Sequence, residues 1–198
     1  MSTNELTQGQ FQNIELPLIA RSLTNPRKHF DAAKLQELAD SVKASGVHQP
    51  VLVRPLPSWR QEDILREYAA SATLPVFELV AGERRYRASQ LAGMATIPAI
   101  VRDLTDAQVI EIQIIENLQR DGLTPLEEAE GYEALIQATG ITKDELCAKV
   151  GKSRTYIFNR FKLLDLCQEA KAALREGKLD ASRAELIARI PDQKLQLK

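Results

Sequence analysis

Residues 79–101 read LVAGERRYRASQLAGMATIPAIV, and this stretch decides the fold of the first half of the chain. The apolar run from Val76 to Ala81, interrupted by one glutamate, predicts a buried strand. Gly82 follows, and the letters GERRYRASQLAG predict a helix that ends at Gly93. IPAIVRD then predicts another strand. A strand, a helix and a second strand in this order indicate an α/β domain.

The sequence before this stretch carries weaker patterns. Residues 1–12 are polar and predict a disordered tail. Ile14 to Ile19 predicts a short strand. Asp31 predicts the cap of a helix whose apolar residues share one face, and Gly46 closes that helix.

A second strand, VLVR, follows Pro50 and leads into an unusual segment. The segment from Pro55 to Pro75 is too long for a hairpin loop and contains Trp59. Its middle, RQEDILREYAASA, predicts a surface helix.

From Thr105 onward the patterns predict helices only. A first helix, Thr105 to Arg120, joins the α/β part to the rest. Thr124 and Thr142 are each followed three residues later by Glu, as in a capping box. The fold class is therefore α+β, with an α/β domain at 13–120 and a helical domain at 121–198.

The composition excludes several classes of protein. The chain has 198 residues, 44% of them hydrophobic, and a net charge of −1. Two cysteines exclude a disulfide framework and a multi-cysteine zinc site, and two histidines are too few for a metal site. No signal peptide and no apolar run of about 18 residues is present, so we expect a soluble cytoplasmic protein.

Residues 142–166, TKDELCAKVGKSRTYIFNRFKLLDL, have the spacing of a helix-turn-helix. Gly151 supplies the turn, and Ser153 can cap the second helix. Six Lys or Arg and three acids between Ile141 and Asp165 give this motif a charge of +3. By spacing alone, an ordinary helical hairpin with a basic face remains open beside DNA binding.

Two clusters of charged residues suggest an anion site. Gly82 opens a helix whose first N–H groups are free, and three arginines follow within five positions. Glu83 would repel phosphate unless it faces a metal or water. Further on, Glu116, Asn117 and Arg120 could hold a hydrated Mg²⁺ and phosphate oxygens. Each cluster alone is also explained by surface salt bridges.

The motifs together resemble the ParB-type (ParB/RepB-like) partition proteins. NPRKHF, SGVHQPVLVRP, LVAGERRYRASQLAG, IPAIVRD, IIENLQRDGLTPLEEAEGY and VGKSRTYIFNRFKLLDL occur in that family's order. The resemblance covers roughly residues 14–190. It implies a ParB N-terminal, sulfiredoxin-like α/β domain followed by an all-α helix-turn-helix domain.

The resemblance also implies a function. Such proteins bind parS, a palindromic double-stranded DNA site, and bind CTP with Mg²⁺, which they hydrolyse slowly. CTP and parS close two N-terminal domains into a DNA clamp, and a ParA-type ATPase is the usual partner. We therefore expect a cytoplasmic, nucleoid- or plasmid-associated protein that self-associates.

Site residues follow from the same resemblance. Glu83 and Glu116 would be catalytic, and Glu116 and Asn117 would hold the metal. Nucleotide binding is expected from Asn25, Pro26, Arg27, Gly46, Val47, Gln49, Pro50, Gly82, Glu83, Arg84, Arg85, Asn117 and Arg120. DNA binding is expected from Lys152, Ser153, Arg154, Thr155, Tyr156, Asn159, Arg160 and Lys162.

The chain departs from the family pattern in four places. The family has a short turn where residues 55–75 stand, and this insertion is either a partner-binding element or an inert excursion. The approach to the NPR motif is shortened to SLTNPR, and a Gly-His pair after the last helices is replaced by ASRAEL, with Ser182 and Arg183. The family's C-terminal dimerisation domain is missing after Lys198, which implies a truncated chain.

Two other functions stay open. A transcriptional repressor or nucleoid factor could share this architecture. An enzyme acting on ATP could share the sulfiredoxin-like fold, although no cysteine precedes Cys147 to perform sulfur chemistry.

Overall fold

The computed structural model describes residues 9–24, 31–119 and 123–197. The chain divides into two compact units, Met1–Gln113 and Ile114–Lys198. The first holds a mixed sheet with helices and the second is helical, which confirms the predicted fold class.

The sheet of the first unit has five strands. In chain order they are β1 (Gln10–Glu15), β2 (Ile19–Ala20), β3 (Val51–Pro55), β4 (Phe77–Ala81) and β5 (Thr96–Val101). Their order across the sheet is β1-β5-β3-β4-β2. β1 pairs antiparallel with β5 and β3 antiparallel with β4, whereas β3–β5 and β2–β4 are parallel. β4 therefore lies inside the sheet, and its last residue delivers the chain to Gly82.

The N-terminal predictions need two corrections. Residues 10–12, expected in a disordered tail, form the start of β1, because their backbone pairs with β5 at the edge of the sheet. Only Ile14 of this strand is buried, so its side chains carried no hydrophobic signal. The single strand expected from Ile14 to Ile19 is broken by a 3-10 turn at Leu16–Leu18, where Pro17 cannot donate a ladder hydrogen bond.

Before the boundary, the described residues of the first unit form three α-helices: α1 (Ala32–Ser45), α2 (Gln61–Glu67) and α3 (Glu83–Leu91). Asp31 caps α1 as predicted, since its carboxylate accepts from two backbone N–H groups. α2 is the helix predicted inside the insertion. The main hydrophobic core of this unit is formed largely by side chains of the strands, among them Ile19, Val51, Leu79 and Ile97.

The boundary between the units falls within α4 (Asp106–Leu118), the predicted joining helix. Five further helices follow in the described residues: α5 (Pro125–Thr139), α6 (Lys143–Val150), α7 (Arg154–Lys162), α8 (Gln168–Arg175) and α9 (Ala181–Ile187). The capping boxes at Thr124 and Thr142 are both present.

No helix among the described residues is long and apolar enough to cross a membrane. Both cysteines are free thiols.

Candidate functional site

Gly82 adopts a backbone conformation that other residues avoid. It lies between β4 and α3 with φ 97° and ψ 27°, in the left-handed region. A Cβ at this position would come within 2.9 Å of Cγ1 of Val51, on the neighbouring strand β3. The loop therefore needs glycine both for its torsion angles and for the close packing of α3 against the sheet. The first N–H groups of α3 have no intrahelical acceptor and point out of this tight turn.

Arg85 connects this loop to the GVHQP segment. Its Nη1 donates to the backbone carbonyls of Gln49 (2.8 Å) and Pro50 (2.7 Å). The structure thus brings two predicted stretches together, residues 46–50 and the loop at Gly82. Val47 packs against the core, and Gln49 is exposed. Arg84 points to solvent and makes no ion pair within the described part of the chain.

Glu83 is buried between two arginines. Its Oε1 accepts from Nε of Arg21 and from Nε of Arg87, each at 2.7 Å. The Glu83 side chain is 7% exposed. No described residue donates to its Oε2, which is the oxygen left for a further partner. The sequence suggested that Glu83 would repel a phosphate unless it faces a metal or water; in the structure its Oε1 faces two arginines.

A cluster of buried charged side chains surrounds Glu78 of β4, the strand that leads into the loop, and sequence analysis missed it. Glu78, in the middle of β4, is 2% exposed. Arg54, its direct cross-strand partner on β3, contacts its Oε2 through both Nε and Nη2. Nη1 of Arg60, from the insertion, donates to its Oε1 at 2.9 Å. A charge inside an apolar strand, opposite an arginine on the next strand, was the signal that could have revealed this cluster.

Two residues hold the segment that leads to the NPR motif. Nη2 of Arg60 donates to the backbone carbonyl of Arg21 at 2.7 Å. Three residues later, Oγ1 of Thr24 donates to Oε1 of Gln113 at 2.8 Å. The buried Gln113 side chain in turn donates to the carbonyl of Val80 in β4. The segment is therefore fixed at both ends against the strand that precedes the Gly82 loop.

Several predicted site residues cannot be placed in this geometry. Asn25, Pro26, Arg27 and Arg120 lie outside the described residues. Glu116 is exposed near the end of α4, and Asn117, next to it, is half-buried. Among the described residues, no three His, Cys, Asp or Glu side chains gather into a metal-binding group. Glu116 and Asn117 offer one carboxylate and one amide oxygen, both of which are ligand types for Mg²⁺.

The predicted helix-turn-helix is formed by α6 and α7. Gly151 ends α6 with φ 66°, and the Ser153 side chain accepts from the N–H of Tyr156 to cap α7. Ile157 is fully buried against Leu146 and the helix that precedes them. The cap and the buried face fix the direction in which α7 presents its first turn.

The first turn of α7 is exposed and basic. Lys152, Ser153, Arg154 and Thr155 all face solvent. The Arg154 side chain is 70% exposed, and its one ion pair, to Asp144 at 3.3 Å, is also exposed. Such a pair contributes little to stability and can be exchanged for another partner. Further along α7, Nζ of Lys162 donates to Oδ1 of Asn159.

Arg160 does not lie where the sequence prediction needs it. Its side chain is 15% exposed and reaches into the helical unit rather than toward solvent. Nε donates to Glu128 at 2.7 Å, and Nη1 approaches Glu185 at 3.3 Å. Tyr156 donates its hydroxyl to the same Glu128 oxygen and accepts from Nη2 of Arg160. Because these contacts occupy the guanidinium, the structure favours a role in packing over one in phosphate binding.

Burial changes the acidity of two tyrosines. Tyr86, on α3, donates to the carbonyl of Ile19 at 2.9 Å, and its burial raises its pKa to about 12. Tyr132, on α5, is also buried, and its pKa is likewise raised to about 12. Neither phenol ionises near neutral pH, so both act as neutral hydroxyl groups in the core.

Comparison with protein families divides the chain into an N-terminal domain and a helical domain. The model for the ParB N-terminal domain matches residues 1–118, and the model for the ParB HTH domain matches residues 121–198. The chromosome-partitioning protein Spo0J of Thermus thermophilus is 42% identical over 185 residues, which covers 92% of this chain and 62% of that protein. The chain spans 55–62% of the length of the curated relatives that it matches.

Solved structures extend the comparison. The C-terminally truncated chromosome-partitioning protein ParB from Caulobacter crescentus, complexed to the centromeric parS site, is 36% identical with a TM-score of 0.73. That similarity covers 93% of this chain and 88% of the crystallised one. A second crystal structure of that truncated protein, complexed with CTP-gamma-S, gives a TM-score of 0.47 at the same identity, over 96% of this chain and 100% of that one.

Proposed function

This chain belongs to the ParB family, and from that premise we propose that it is a DNA-partition protein that binds a parS-like palindrome through α6 and α7. We further propose that the Gly82 loop binds CTP with Mg²⁺ and supports its slow hydrolysis, which switches a DNA clamp. The protein then acts in the cytoplasm on the nucleoid or on a plasmid. Self-association through the N-terminal domain and a ParA-type ATPase partner belong to the same proposal.

The exposed first turn of α7 is the observation that carries the DNA-binding proposal. A recognition helix reads bases with side chains from its N-terminal end, and here that end presents Lys152, Arg154 and Thr155 to solvent. The charge of +3 on this motif contrasts with a chain that is otherwise slightly acidic. The parS complex of the Caulobacter crescentus relative, similar over 93% of this chain, supports the same ligand.

Roles along α7 differ in this proposal. Arg154 is the base-reading residue, since its long side chain is exposed at the first turn and its ion pair to Asp144 lies on the surface. Asn159 and Lys162 lie further along, where phosphate contacts fix the register of the helix. Tyr156 is half-buried and serves mainly to hold Arg160 and Glu128 in place.

The geometry of the Gly82 loop carries the nucleotide proposal. A helix N-terminus opened by a left-handed glycine offers backbone N–H groups to phosphate oxygens. Arg84 is exposed beside it and adds positive charge, while Arg85 shapes the loop by holding the carbonyls of Gln49 and Pro50. This support comes from the loop and its sequence motif.

Glu83 is suited to orient a water molecule. Two arginines hold its Oε1, which fixes the carboxylate plane and leaves Oε2 to accept from a further donor. When bound, Mg²⁺ would neutralise the charge of the phosphates, and Glu116 and Asn117 are the residues we propose to hold it. Arg120 and the NPR residues complete the proposed nucleotide contacts.

The DNA-binding roles can be tested by two substitutions measured on a parS duplex and on duplexes with single base-pair changes. Arg154→Ala should weaken binding to parS by about 1–3 kcal/mol and relax the preference at one base pair. Lys162→Ala should weaken all duplexes about equally. Unchanged specificity of Arg154→Ala at fixed salt would show that α7 is not the recognition helix.

The nucleotide site can be tested by measuring the binding of CTP, ATP, GTP and UTP with Mg²⁺, with and without parS DNA. We expect CTP to bind most tightly. Arg84→Ala should lose nucleotide binding, because it removes a charge beside the triphosphate. Glu83→Ala should keep measurable, although weaker, binding and lose phosphate release, because it removes both a side chain that holds the loop and the group that orients the water. A Glu83→Ala chain that hydrolyses CTP at the parental rate would move this role to Glu116.

A further inference from the structure

The insertion between β3 and β4, residues 55–75, places one arginine inside the first unit. We propose that Arg60 is a positioning residue that sets the geometry of the Gly82 loop by acting through Arg21 on Glu83. This inference rests on the proposed nucleotide site. It assigns a role to a segment that the sequence left open as either a partner-binding element or an inert excursion.

Arg60 is the most deeply buried charge of the insertion. Its side chain is 1% exposed, whereas its neighbour Trp59 is 54% exposed. Its guanidinium joins two groups that lie far apart in sequence. Nη1 donates to Oε1 of Glu78 at 2.9 Å, and Nη2 donates to the carbonyl of Arg21 at 2.7 Å. The planar fork can make both contacts at once because its donors are fixed in direction.

The contact to Arg21 leads directly to the loop. Nε of Arg21 donates to Oε1 of Glu83 at 2.7 Å. The Arg21 side chain is 54% exposed, so packing alone does not hold it in this position. Its backbone is what is fixed: it follows Ala20 of β2, which pairs with β4, and it is held further by the bond from Arg60 and by the Thr24–Gln113 bond three residues later. Without Arg60, one of these anchors is lost and the Arg21–Glu83 bond loses part of its support.

The contacts of Arg60 also argue against a purely structural role. Its Nε is buried without a partner among the described residues, and a buried unsatisfied donor lowers stability. A buried ion pair can often be replaced by apolar side chains without loss of stability. Packing alone therefore does not account for an arginine at this site. The guanidinium is accounted for by its two hydrogen bonds, which connect Glu78 to Arg21. The same insertion borders a cleft of about 370 Å³ whose lining includes Arg21, Tyr68 and Tyr86.

The test is a double-mutant cycle on nucleotide affinity. Arg60→Lys keeps a positive charge beside Glu78 but, as a point charge, cannot keep both hydrogen bonds. We expect it to weaken CTP binding in the presence of Mg²⁺ by about tenfold, the size typical of one lost hydrogen bond to a charged group. Arg21→Gln should weaken binding to a similar extent. The double variant should bind no more weakly than Arg21→Gln alone, because both changes break the same connection.

The matched control is Arg66→Gln, on helix α2 of the same insertion. Arg66 is 76% exposed and, among the described residues, forms an ion pair only with Glu62 on the surface, so nucleotide affinity should stay at the parental value. Parental affinity for Arg60→Lys, or a double variant whose losses simply add, would overturn the inference. If Arg60→Lys does not fold, Arg21→Gln decides alone, and unchanged affinity there overturns it. A parental chain that binds none of the four nucleotides would instead overturn the proposed nucleotide site, and this inference with it.

Discussion

Arg160→Met should destabilise the helical unit, although the sequence places Arg160 among the DNA contacts. In the structure its guanidinium lies between Glu128 and Glu185 and stacks on the Tyr156 ring, with 4.5 Å between Cζ and the ring centroid. Methionine keeps much of the aliphatic packing but removes the cation. Two half-buried carboxylates then face each other without a positive partner.

The size of the effect follows from the contacts that are lost. Breaking a fully buried ion pair by removing one partner costs about 3–5 kcal/mol. Here the three side chains are 15%, 17% and 24% exposed, so water screens part of this cost. The Tyr156 hydroxyl still donates to Glu128, which limits the loss further. We therefore expect a decrease of about 2 kcal/mol in the free energy of unfolding, which corresponds to a urea midpoint lower by about 1 M.

Two spectroscopic probes separate the units in this experiment. Trp59 is the single tryptophan and lies in the first unit, so its fluorescence reports unfolding there. Circular dichroism reports the helices of both units, so a shift that the fluorescence does not share reports the second unit, which is helical. We expect Arg160→Met to shift the dichroism transition and to leave the fluorescence transition in place. Because the units can unfold separately, the two probes should be fitted independently.

Arg154→Met is the matched control on the same helix. Its ion pair to Asp144 is exposed on both sides, so stability should change by less than about 0.5 kcal/mol. The expectation would be refuted if Arg160→Met kept parental stability and weakened all DNA duplexes equally with a smaller dependence on salt. That result would restore Arg160 as a phosphate contact.

Three other predictions concern the backbone and the titrating groups. Gly82→Ala should cost about 1 kcal/mol more stability than Gly93→Ala in urea unfolding, because both glycines have positive φ but only Gly82 is crowded, by Val51; equal losses would contradict this. Burial raises the Tyr86 pKa to about 12, above the ordinary value of about 10. The contribution of the Tyr86 hydroxyl to stability should therefore be lost as the pH rises through that range. An ultraviolet titration should show this phenol ionising at a higher pH than an ordinary tyrosine. Hydrogen bonds from Thr142, which caps α6, lower the pKa of Glu145. The stabilisation from these bonds should be present above about pH 4.3 and lost on acidification. An NMR titration that gave Glu145 an ordinary pKa would contradict this.

The local patterns of the sequence were reliable where the structure depends on neighbouring residues. The strand, glycine and helix around Gly82 are confirmed, and so are the capping boxes and the Ser153 cap of α7. These features are set within a few residues of one another, by turn geometry and by side chains that bond to nearby backbone. Fold class followed from them, because strands alternating with helices and then helices alone admit few arrangements.

Features that depend on distant partners were not predicted. Four of the six residues of β1 are polar and its Phe11 is exposed, so only the pairing with β5 makes the segment a strand. Arg160 looks like a DNA contact on its own helix, and only the positions of α5 and α9 show that it is enclosed. The role of Arg60 could not be predicted for the same reason, since its partners Glu78 and Arg21 are 18 and 39 residues away in the sequence. Charged residues therefore need their tertiary partners before a role can be assigned.

The most direct test of the account is the affinity of the parental chain for a parS duplex and for a shuffled duplex of equal length at the same salt concentration. The account predicts a preference for parS of at least about tenfold, since one correctly read base pair is worth about 1–3 kcal/mol. This preference should shrink in Arg154→Ala. Equal affinity for the two duplexes, with binding that depends on salt alone, would contradict the proposal that this chain recognises a partition site.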